Sequence, residues 1–522
     1  MKLIKFNPII VIFLPLIAFI PIIKGVSEGF HSGGIDIIWD FITSAIHPST
    51  NKIVIENALK GIQVTIAIGL LSWVITLVFG ISLGFLSSKI FWESLGRFKS
   101  LGIVLRHILA IPRAIHEVIW GLLLLQLIGL NDWVAIIAIA IPYSCLMARV
   151  IADQLDTIEY QDLIAIRQTG SKSLASIATT LLPPVIPIII TYGGYRLECA
   201  IRGATLLGVF GLGGIGTELK LTLQSLEFRE MWTSLWMLFL TIIFIEIALN
   251  SFNKILQKDI NKTRLFIISG ISILSITLLI SVSWLRFLDF QTINTIKFHA
   301  FSLPDIREVI ASMDEIDLIK LISETILITI LSAGIAIGTP PLILLILRGN
   351  IGKSFYSLLC LFLRLIPAPL TVLLLVLCTN PSIYVASLSL GLTNIGVMGR
   401  ILKENIKMQN NSSYISLKSS GAQNRVAWLY GILGPKSKAY LAYGAYRLDV
   451  ILRETAVIGV IGGVGLGWQL QESLSSFNWP QVTLISLVFI GLTLTGELMT
   501  DKFNEYWLDT TTNDSLCISI HS

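Results

Sequence analysis

Two strongly apolar stretches of the chain each contain charged residues at the spacing of a helix. A charge at the centre of a membrane helix costs about 2.5–3.5 kcal/mol on insertion scales, so it usually faces a partner or a cavity. The chemistry open to these clusters is recognition of an ion of opposite charge, with no bond made or broken. The residues are Arg196, Glu198 and Arg202 in the first stretch, and Arg447, Asp449, Arg453 and Glu454 in the second.

These clusters have two interpretations. In each cluster an acid and an arginine are four residues apart, so the pair lies on one helix face and can neutralise itself while holding two parts of the protein in register. Alternatively, Arg196 and Arg447 line a translocation path whose positive potential attracts a doubly charged oxyanion. All seven residues are candidates for that path.

The two stretches belong to an internal repeat with an offset of 251 residues. Residues 192–216 and 443–467 align without a gap, and eleven of the 25 positions are identical. A period this long indicates a duplicated domain rather than a solenoid. Each copy ends in a glycine-rich segment, which serves either close helix packing or a flexible outer gate. The glycines concerned are Gly211, Gly214, Gly216, Gly462, Gly465 and Gly467.

The composition is typical of a polytopic helical membrane protein. The 522 residues have a mean hydropathy of +0.79, and 14% of them are charged, against about 25% in soluble domains. Five cysteines and six histidines are scattered, without the spacing of a metal site. We predict an all-α fold with about twelve transmembrane helices, arranged as two parallel repeats of six.

Each half offers six candidate spans of about 20 apolar residues. They lie near 8–23, 60–87, 101–128, 133–152, 183–210 and 231–250, and near 265–285, 320–347, 355–378, 382–400, 436–462 and 480–499. Lysine and arginine concentrate in alternate loops, so the positive-inside rule puts both termini in the cytoplasm. The predicted parts are a first repeat 1–250, a cytoplasmic linker 251–264, a second repeat 265–505 and a cytoplasmic tail 506–522.

Each half also has one long loop on the predicted cytoplasmic side, at 153–182 and 401–435. In the first loop an amphipathic stretch is followed by Gly170 and then by a second amphipathic stretch that ends at Pro183. Glycine permits a sharp turn and proline stops a helix, so the pattern predicts a rigid protrusion. Such an element suits docking into a groove on a partner, and a plain connecting loop is the alternative.

This loop resembles the EAA loop of ABC importer permeases. Ala165, Gly170, Leu182 and Pro183 match the spacing of that motif, and the stretch from Ala165 to Gly170 is similar to the phosphonate branch of the family. The segments 211–216 and 446–459 also resemble motifs of that branch.

The resemblance implies the permease of an ABC importer for phosphonate, phosphite or a related phosphorus oxyanion in a bacterial inner membrane. The implied partners are two copies of an ABC ATPase, a periplasmic or lipid-anchored substrate-binding protein and the lipid bilayer, with no nucleic acid. ATP and Mg are used by the ATPase, so the permease itself binds no cofactor and is no enzyme. The implied docking residues are Ala165, Arg167, Gly170, Leu182, Pro183, Gly421 and Pro435.

Several positions depart from the family pattern. Ile164 replaces the glutamate of the loop motif, and Ser416 and Leu417 stand where the second loop should have two alanines. Gly203 replaces the glutamate that the second repeat has at Glu454. The two halves have therefore diverged, which allows unequal docking on the ATPases.

Two other functions fit parts of the sequence. An ABC permease for methionine or a quaternary amine would share the loops, and the arginine-containing spans argue against it. A secondary transporter would also be duplicated, but it would need no docking loops centred on glycine. The segment Gly352–Ser354 is no P-loop, because Leu347 stands where that ATPase motif requires glycine.

Overall fold

The computed structural model describes residues 13–31, 33–95, 100–157, 165–166, 168–258, 304–347, 349–407 and 412–508, and the single residues 275 and 279. Within these ranges every regular element is helical, and one isolated bridge joins Phe30 to Thr379. The predicted all-α fold class is confirmed. The count of twelve helices in two repeats stays a prediction, and the predicted span 265–285 lies outside the described residues except for 275 and 279.

The first eleven α-helices run from the N-terminal segment to the end of the first repeat. A 3-10 helix, Leu14–Ala18, precedes them. They are α1 Phe19–Glu28, α2 Gly34–Ser44, α3 Lys52–Leu86, α4 Lys89–Ser94, α5 Ser100–Ala114, α6 Glu117–Ile128, α7 Asp132–Asp156, α8 Ser173–Thr180, α9 Leu182–Val209, α10 Ile215–Gln224 and α11 Phe228–Lys258.

The remaining helices belong to the second repeat. They are α12 Ile306–Ala311, α13 Leu318–Ile346, α14 Gly349–Leu365, α15 Ala368–Val376, α16 Ile383–Lys407, α17 Ser412–Ser419, α18 Asn424–Trp428, α19 Gly434–Gly462, α20 Gly465–Ser475 and α21 Trp479–Leu508. A π-helical turn, Leu429–Leu433, joins α18 to α19.

The long helices start at polar caps and pack through small residues. Asn51 and Asn131 each accept a backbone N–H two residues on, at 3.1 and 2.9 Å, and so open α3 and α7. A Cβ at Gly80 would lie 2.6 Å from Cβ of Met147, and one at Gly84 would lie 2.8 Å from Cβ of Ile151. These glycines, one helical turn apart, therefore let α3 and α7 approach closely.

Six of the described helices are long and apolar enough to cross a membrane. They are Lys52–Leu86, Trp133–Asp156, Phe228–Leu249, Leu318–Ile346, Ile383–Ile406 and Trp479–Thr500. Each coincides with a predicted span. The helices predicted at 183–210 and 436–462 are present as α9 and α19, which carry the charge clusters.

Two predicted spans are bent rather than straight, which corrects the sequence prediction. The predicted span 101–128 is the pair α5 and α6 with an 82° bend, and 355–378 consists of α14 and α15 with an 83° bend. Pro367 lies at the second break, where it disfavours a helical conformation in the residue before it. At the first break, Nδ1 of His116 accepts the N–H of Val118 at 3.3 Å and starts the new helix.

The described residues group into two compact units, one within His47–Ser302 and the other within Met1–Ile46 and Leu303–Ser515. We call them the first-repeat unit and the second-repeat unit. The predicted division into repeats 1–250 and 265–505 with a linker at 251–264 stays a prediction.

The N-terminal segment packs on the second repeat because α13 presents glycines to it. A Cβ at Gly334 would lie 2.6 Å from Cβ of Ala18 and 2.8 Å from the carbonyl oxygen of Pro15. Further along, the backbone N–H of Asn380 donates to the carbonyl oxygen of Gly29 at 3.0 Å. The segment is therefore held by helix packing at one end and by backbone hydrogen bonds at the other.

The close approach at Gly334 gives a stability prediction. Gly334→Ala should lower the thermal unfolding midpoint in detergent by a few degrees, because overpacking of this kind costs about 1–3 kcal/mol. Gly491→Ala is the matched control, since a Cβ at that helical glycine meets nothing within 4 Å. An equal midpoint for the two variants would contradict the packing of the N-terminal segment on α13.

Candidate functional site

The two charge clusters lie on α9 and α19, the helices that follow the long loops. Proline in the first turn starts both helices, where its missing N–H costs nothing. Arg196 is 6% exposed and Arg447 is 8% exposed. Each repeat therefore buries a permanent positive charge in a helix with predominantly apolar neighbours.

In the second repeat the buried arginine belongs to a closed polar triangle. Nε of Arg447 donates to Oδ1 of Asn394 at 2.6 Å, and its Nη2 lies 2.9 Å from Oε1 of Glu454. Nδ2 of Asn394 donates to Oε2 of Glu454 at 2.8 Å. Arg453 forms an ion pair with Asp449, as the i, i+4 spacing predicts. Both carboxylates therefore balance arginines on their own helix.

In the first repeat the buried arginine sits among aromatic rings instead. Cζ of Arg196 lies 4.7 Å from the ring centroid of Tyr192, 5.1 Å from that of Tyr143 and 5.6 Å from that of Tyr195. Its guanidinium also donates to the Tyr192 hydroxyl. All three distances are within the range of a cation–π interaction.

One of these tyrosines, Tyr143, is hydrogen-bonded to a carboxylate. Oη of Tyr143 donates to Oε1 of Glu117 at 3.2 Å, and Nδ1 of His116 lies 3.3 Å from Oε2 of the same residue. Glu117 is the first residue of α6, directly after the bend. The structure therefore brings α6, α7 and α9 together around Arg196. Glu198, two residues further along α9, is also buried.

The glycine-rich segments form turns that lead into the short helices α10 and α20. Gly211, Gly214 and Gly465 have positive φ angles of 91°, 83° and 67°, a region that favours glycine. The start of each short helix is held by a threonine. Oγ1 of Thr65 accepts the N–H of Ile215 at 2.9 Å, and Oγ1 of Thr325 accepts the N–H of Leu466 at 3.0 Å.

Two further glycines allow the backbones themselves to touch. A Cβ at Gly216 would lie 1.9 Å from the carbonyl oxygen of Thr205, and one at Gly467 would lie 2.3 Å from that of Ala456. A Cβ at Gly462 would meet its neighbours only at ordinary contact distances. Close packing thus accounts for Gly216 and Gly467, and the gate role of these segments stays a prediction.

Each long loop contains a glycine in the left-handed region. Gly170 has φ +83° and Gly421 has φ +86°, and a Cβ at either would meet nothing within 4 Å. Both residues are exposed. After α17, the N–H of Ala422 donates to the carbonyl oxygen of Leu417 at 3.1 Å, which closes the turn in the Schellman manner. The glycines are therefore required by backbone conformation, not by space.

The other predicted docking residues flank these turns. Ala165 is exposed and helical, Leu182 and Pro183 are half-buried at the start of α9, and Pro435 is exposed in the first turn of α19. Arg167 lies outside the described residues. Helix α17 has no buried residue, so it presents an open surface beside Gly421.

A charge network at the end of α7 fixes the helix from which the first loop departs. Oδ1 of Asp156 accepts from Oγ of Ser88 at 2.8 Å and from the N–H groups of Lys89 and Ile90 at 2.9 and 3.3 Å. Its Oδ2 lies 2.7 Å from Nη2 of Arg106. Asp156 thus joins α4, α5 and α7, while the aligned position of the second repeat is lysine, at 407.

Sequence reasoning missed Asn394, Tyr143, Glu117 and Asp156. Asn394 and Tyr143 occupy equivalent positions of the two repeats, since 143 and 394 differ by the repeat offset of 251. Two polar residues at one repeat position, both within apolar sequence, are a signal that could have identified them. Glu117 and Asp156 offer no such repeat signal.

Several known proteins are similar to parts of this chain. Residues 80–262 match the family described as binding-protein-dependent transport system inner membrane component. The Phosphate-import permease protein PhnE of Mycolicibacterium smegmatis is 21% identical over 402 residues, which are 74% of each chain. The putative phosphite transport system permease protein HtxC of Stutzerimonas stutzeri is 25% identical, over 39% of this chain and 70% of its own.

A third relative matches a shorter region. The putative cryptic phosphonate transport system permease protein PhnE2 of Escherichia coli is 29% identical over 106 residues, which are 20% of this chain and 87% of its own. Residues 80–262 are thus similar to the binding-protein-dependent transport system inner membrane component family, and the three relatives are permeases named for phosphate, phosphite or phosphonate.

Proposed function

We propose that this chain is the membrane permease of an ATP-driven ABC importer and moves phosphonate, phosphite or a related phosphorus oxyanion into the cytoplasm. The observation that carries the proposal is the buried arginine at the same position of each repeat. The names of the relatives support the same substrate class.

The chemistry of the clusters suits a weakly held anion. A guanidinium stays charged in proteins and matches the oxygens of phosphorus oxyanions with paired N–H donors. In the second repeat, Arg447 is partly neutralised by Glu454 at 2.9 Å. A competing carboxylate weakens anion binding, and a transported ion must leave its site as readily as it enters.

The exposed loops suit docking of an ATPase. Gly170 and Gly421 form tight turns at which an added Cβ would meet nothing within 4 Å, which is compatible with insertion into a groove. We assign one ATPase subunit to each loop, so two copies would bind ATP and Mg while the permease performs no covalent chemistry. A substrate-binding protein would deliver the anion to the outer face, and both termini would lie in the cytoplasm.

Co-purification tests this assignment. The tagged chain is isolated from native membranes in mild detergent, and its partners are identified by mass spectrometry. We expect an ABC ATPase and a binding protein, and ATP-dependent uptake of phosphite or a phosphonate after reconstitution in liposomes. Recovery of the chain alone, with uptake driven by an ion gradient, would contradict the proposal.

Loss of the buried charge should slow uptake. Arg447→Gln removes a charged hydrogen-bonding group worth about 1.5–3 kcal/mol, so we expect oxyanion uptake to fall about tenfold or more. Arg307→Gln, in the exposed helix α12, is the control and should keep the wild-type rate. Size-exclusion profiles show whether both variants stay folded. Equal uptake by the two variants would remove Arg447 from the path.

The docking turn should depend on backbone conformation. Gly170→Val places a β-branched residue at φ +83°, whereas Gly170→Asn places a residue that tolerates this region there. We expect the valine variant to lose ATPase binding in a pull-down assay and the asparagine variant to keep most of it. The same loss in both variants would show that side-chain size at the surface, not backbone conformation, matters.

The network at Asp156 should affect coupling as well as stability. Asp156→Ala removes hydrogen bonds to α4 and the ion pair with Arg106, which together are worth about 2–3 kcal/mol. We expect less oxyanion transported per ATP hydrolysed, because the first loop loses its fixed base. Asp314→Ala, at an exposed turn, is the control. An unchanged ratio with a lowered unfolding midpoint would limit Asp156 to a structural role.

A further inference from the structure

The two charge clusters differ at one position in a way that the sequence leaves unexplained. The second repeat has Glu454 on α19, and the aligned residue of α9 is Gly203. In the opposite sense, the first repeat has Glu117 at the start of α6, where the second repeat has Ala368 at the start of α15. Each repeat thus has one of the two carboxylates and lacks the other.

The geometry around Gly203 shows where the first-repeat carboxylate lies. A Cβ at Gly203 would be 3.6 Å from Oε1 of Glu117 and 3.6 Å from Oη of Tyr143. Three bonds join Cβ to the carboxylate oxygen within a glutamate, so a glutamate at 203 could place its oxygens in this same space. The carboxylate of Glu117 therefore occupies the region that a side chain equivalent to Glu454 would reach.

The residue that connects the carboxylate to the arginine lies at the same repeat position in both clusters. In the second repeat Glu454 accepts from Asn394, and Asn394 accepts from Arg447. In the first repeat Glu117 accepts from Tyr143, at the position equivalent to Asn394, and the face of the Tyr143 ring holds the arginine. In both repeats the residue at this position thus links a carboxylate to the buried arginine, and the second repeat adds the direct ion pair between Arg447 and Glu454.

We propose that Glu117 is the first-repeat counterpart of Glu454, relocated from the arginine-bearing helix to the start of α6. It acts as a positioning residue, because it holds Tyr143 against Arg196 and does not touch the guanidinium through a bond of its own in this arrangement. The loss of the glutamate at position 203 is then compensated by Glu117. Because Gly203 has no side chain, the carboxylate of Glu117 on α6 can occupy this space.

An acid in the first turn of a helix has a simpler explanation, since it interacts favourably with the helix dipole. That explanation predicts neither the approach of Glu117 to Gly203 nor its bond to Tyr143. It also predicts no rescue when a carboxylate is supplied from position 203. The two explanations therefore differ in a double-variant experiment.

The inference rests on the proposed function for its consequence in transport, and it names a residue that tunes the first-repeat oxyanion site. Glu454 lies on the same helix as Arg447, so their separation is fixed by one helix. Glu117 follows the 82° bend between α5 and α6, so the charge balance of the first repeat depends on that bend.

The test moves the carboxylate back to α9. Glu117→Ala, Gly203→Glu and the double variant are purified, and their thermal unfolding midpoints are measured. Phosphite uptake is measured in liposomes with the co-purified ATPase and binding protein. Each single variant should lower the midpoint by several degrees and uptake about tenfold. Glu117→Ala removes the shorter of the two hydrogen bonds that the Tyr143 hydroxyl donates, to Glu117 at 3.2 Å and to the carbonyl oxygen of Cys199 at 3.5 Å. Gly203→Glu places a second carboxylate beside Glu117. The double variant should recover most of both losses.

Gly203→Glu combined with Glu218→Ala is the matched control, because Glu218 is a first-turn acid of α10 outside this cluster. It should show no recovery. The proposal would be overturned if the losses of midpoint and uptake in the Glu117→Ala/Gly203→Glu variant equalled the sum of the two single losses. Failure of that double variant to fold would also overturn it.

The reciprocal exchange in the second repeat, Glu454→Gly with Ala368→Glu, gives an independent answer and should also recover stability. If the wild-type chain shows no ATP-dependent phosphite uptake, the proposed function is contradicted. The unfolding midpoints then still decide whether the carboxylate has been relocated.

Discussion

A guanidinium buried in an apolar helix requires compensation within a few ångströms, and the rest of the site depends on this requirement. Arginine cannot lose its proton in a protein, so burial cannot be relieved by neutralisation. The neighbours of α9 and α19 must therefore bring polar or aromatic groups to Arg196 and Arg447. Tyr143 on α7 and Asn394 on α16 meet this need. Their reach sets how closely those helices must pack.

Both repeats share two structural features in this region. Thr65 and Thr325 hold the starts of the short helices, and each short helix is followed by a residue with an unusual positive φ, 59° at Leu226 and 55° at Phe477. Such angles are uncommon outside glycine. Their recurrence at the repeat offset shows that the backbone of this region has been kept while the side chains changed.

The sequence predicts much of this structure because the strongest signals are local. Apolar length locates the six long helices, and the positions of Gly170 and Gly421 predict the turns. The packing of the N-terminal segment on Gly334 and the approach of Glu117 to Gly203 depend on contacts between residues far apart in the chain. No periodicity records such contacts, so these features could not be predicted from the sequence.

The difference between the repeats follows from which forces tolerate change. Helix packing fixes positions to within tenths of an ångström. Gly216 is an example, because a Cβ added there would overlap a carbonyl oxygen. An electrostatic requirement is less restrictive, since the balance of a charge depends on distance and not on which helix supplies the partner. A duplicated membrane domain can therefore keep its backbone while its carboxylates move, and divergence at Gly203 need not mean loss of the charge balance.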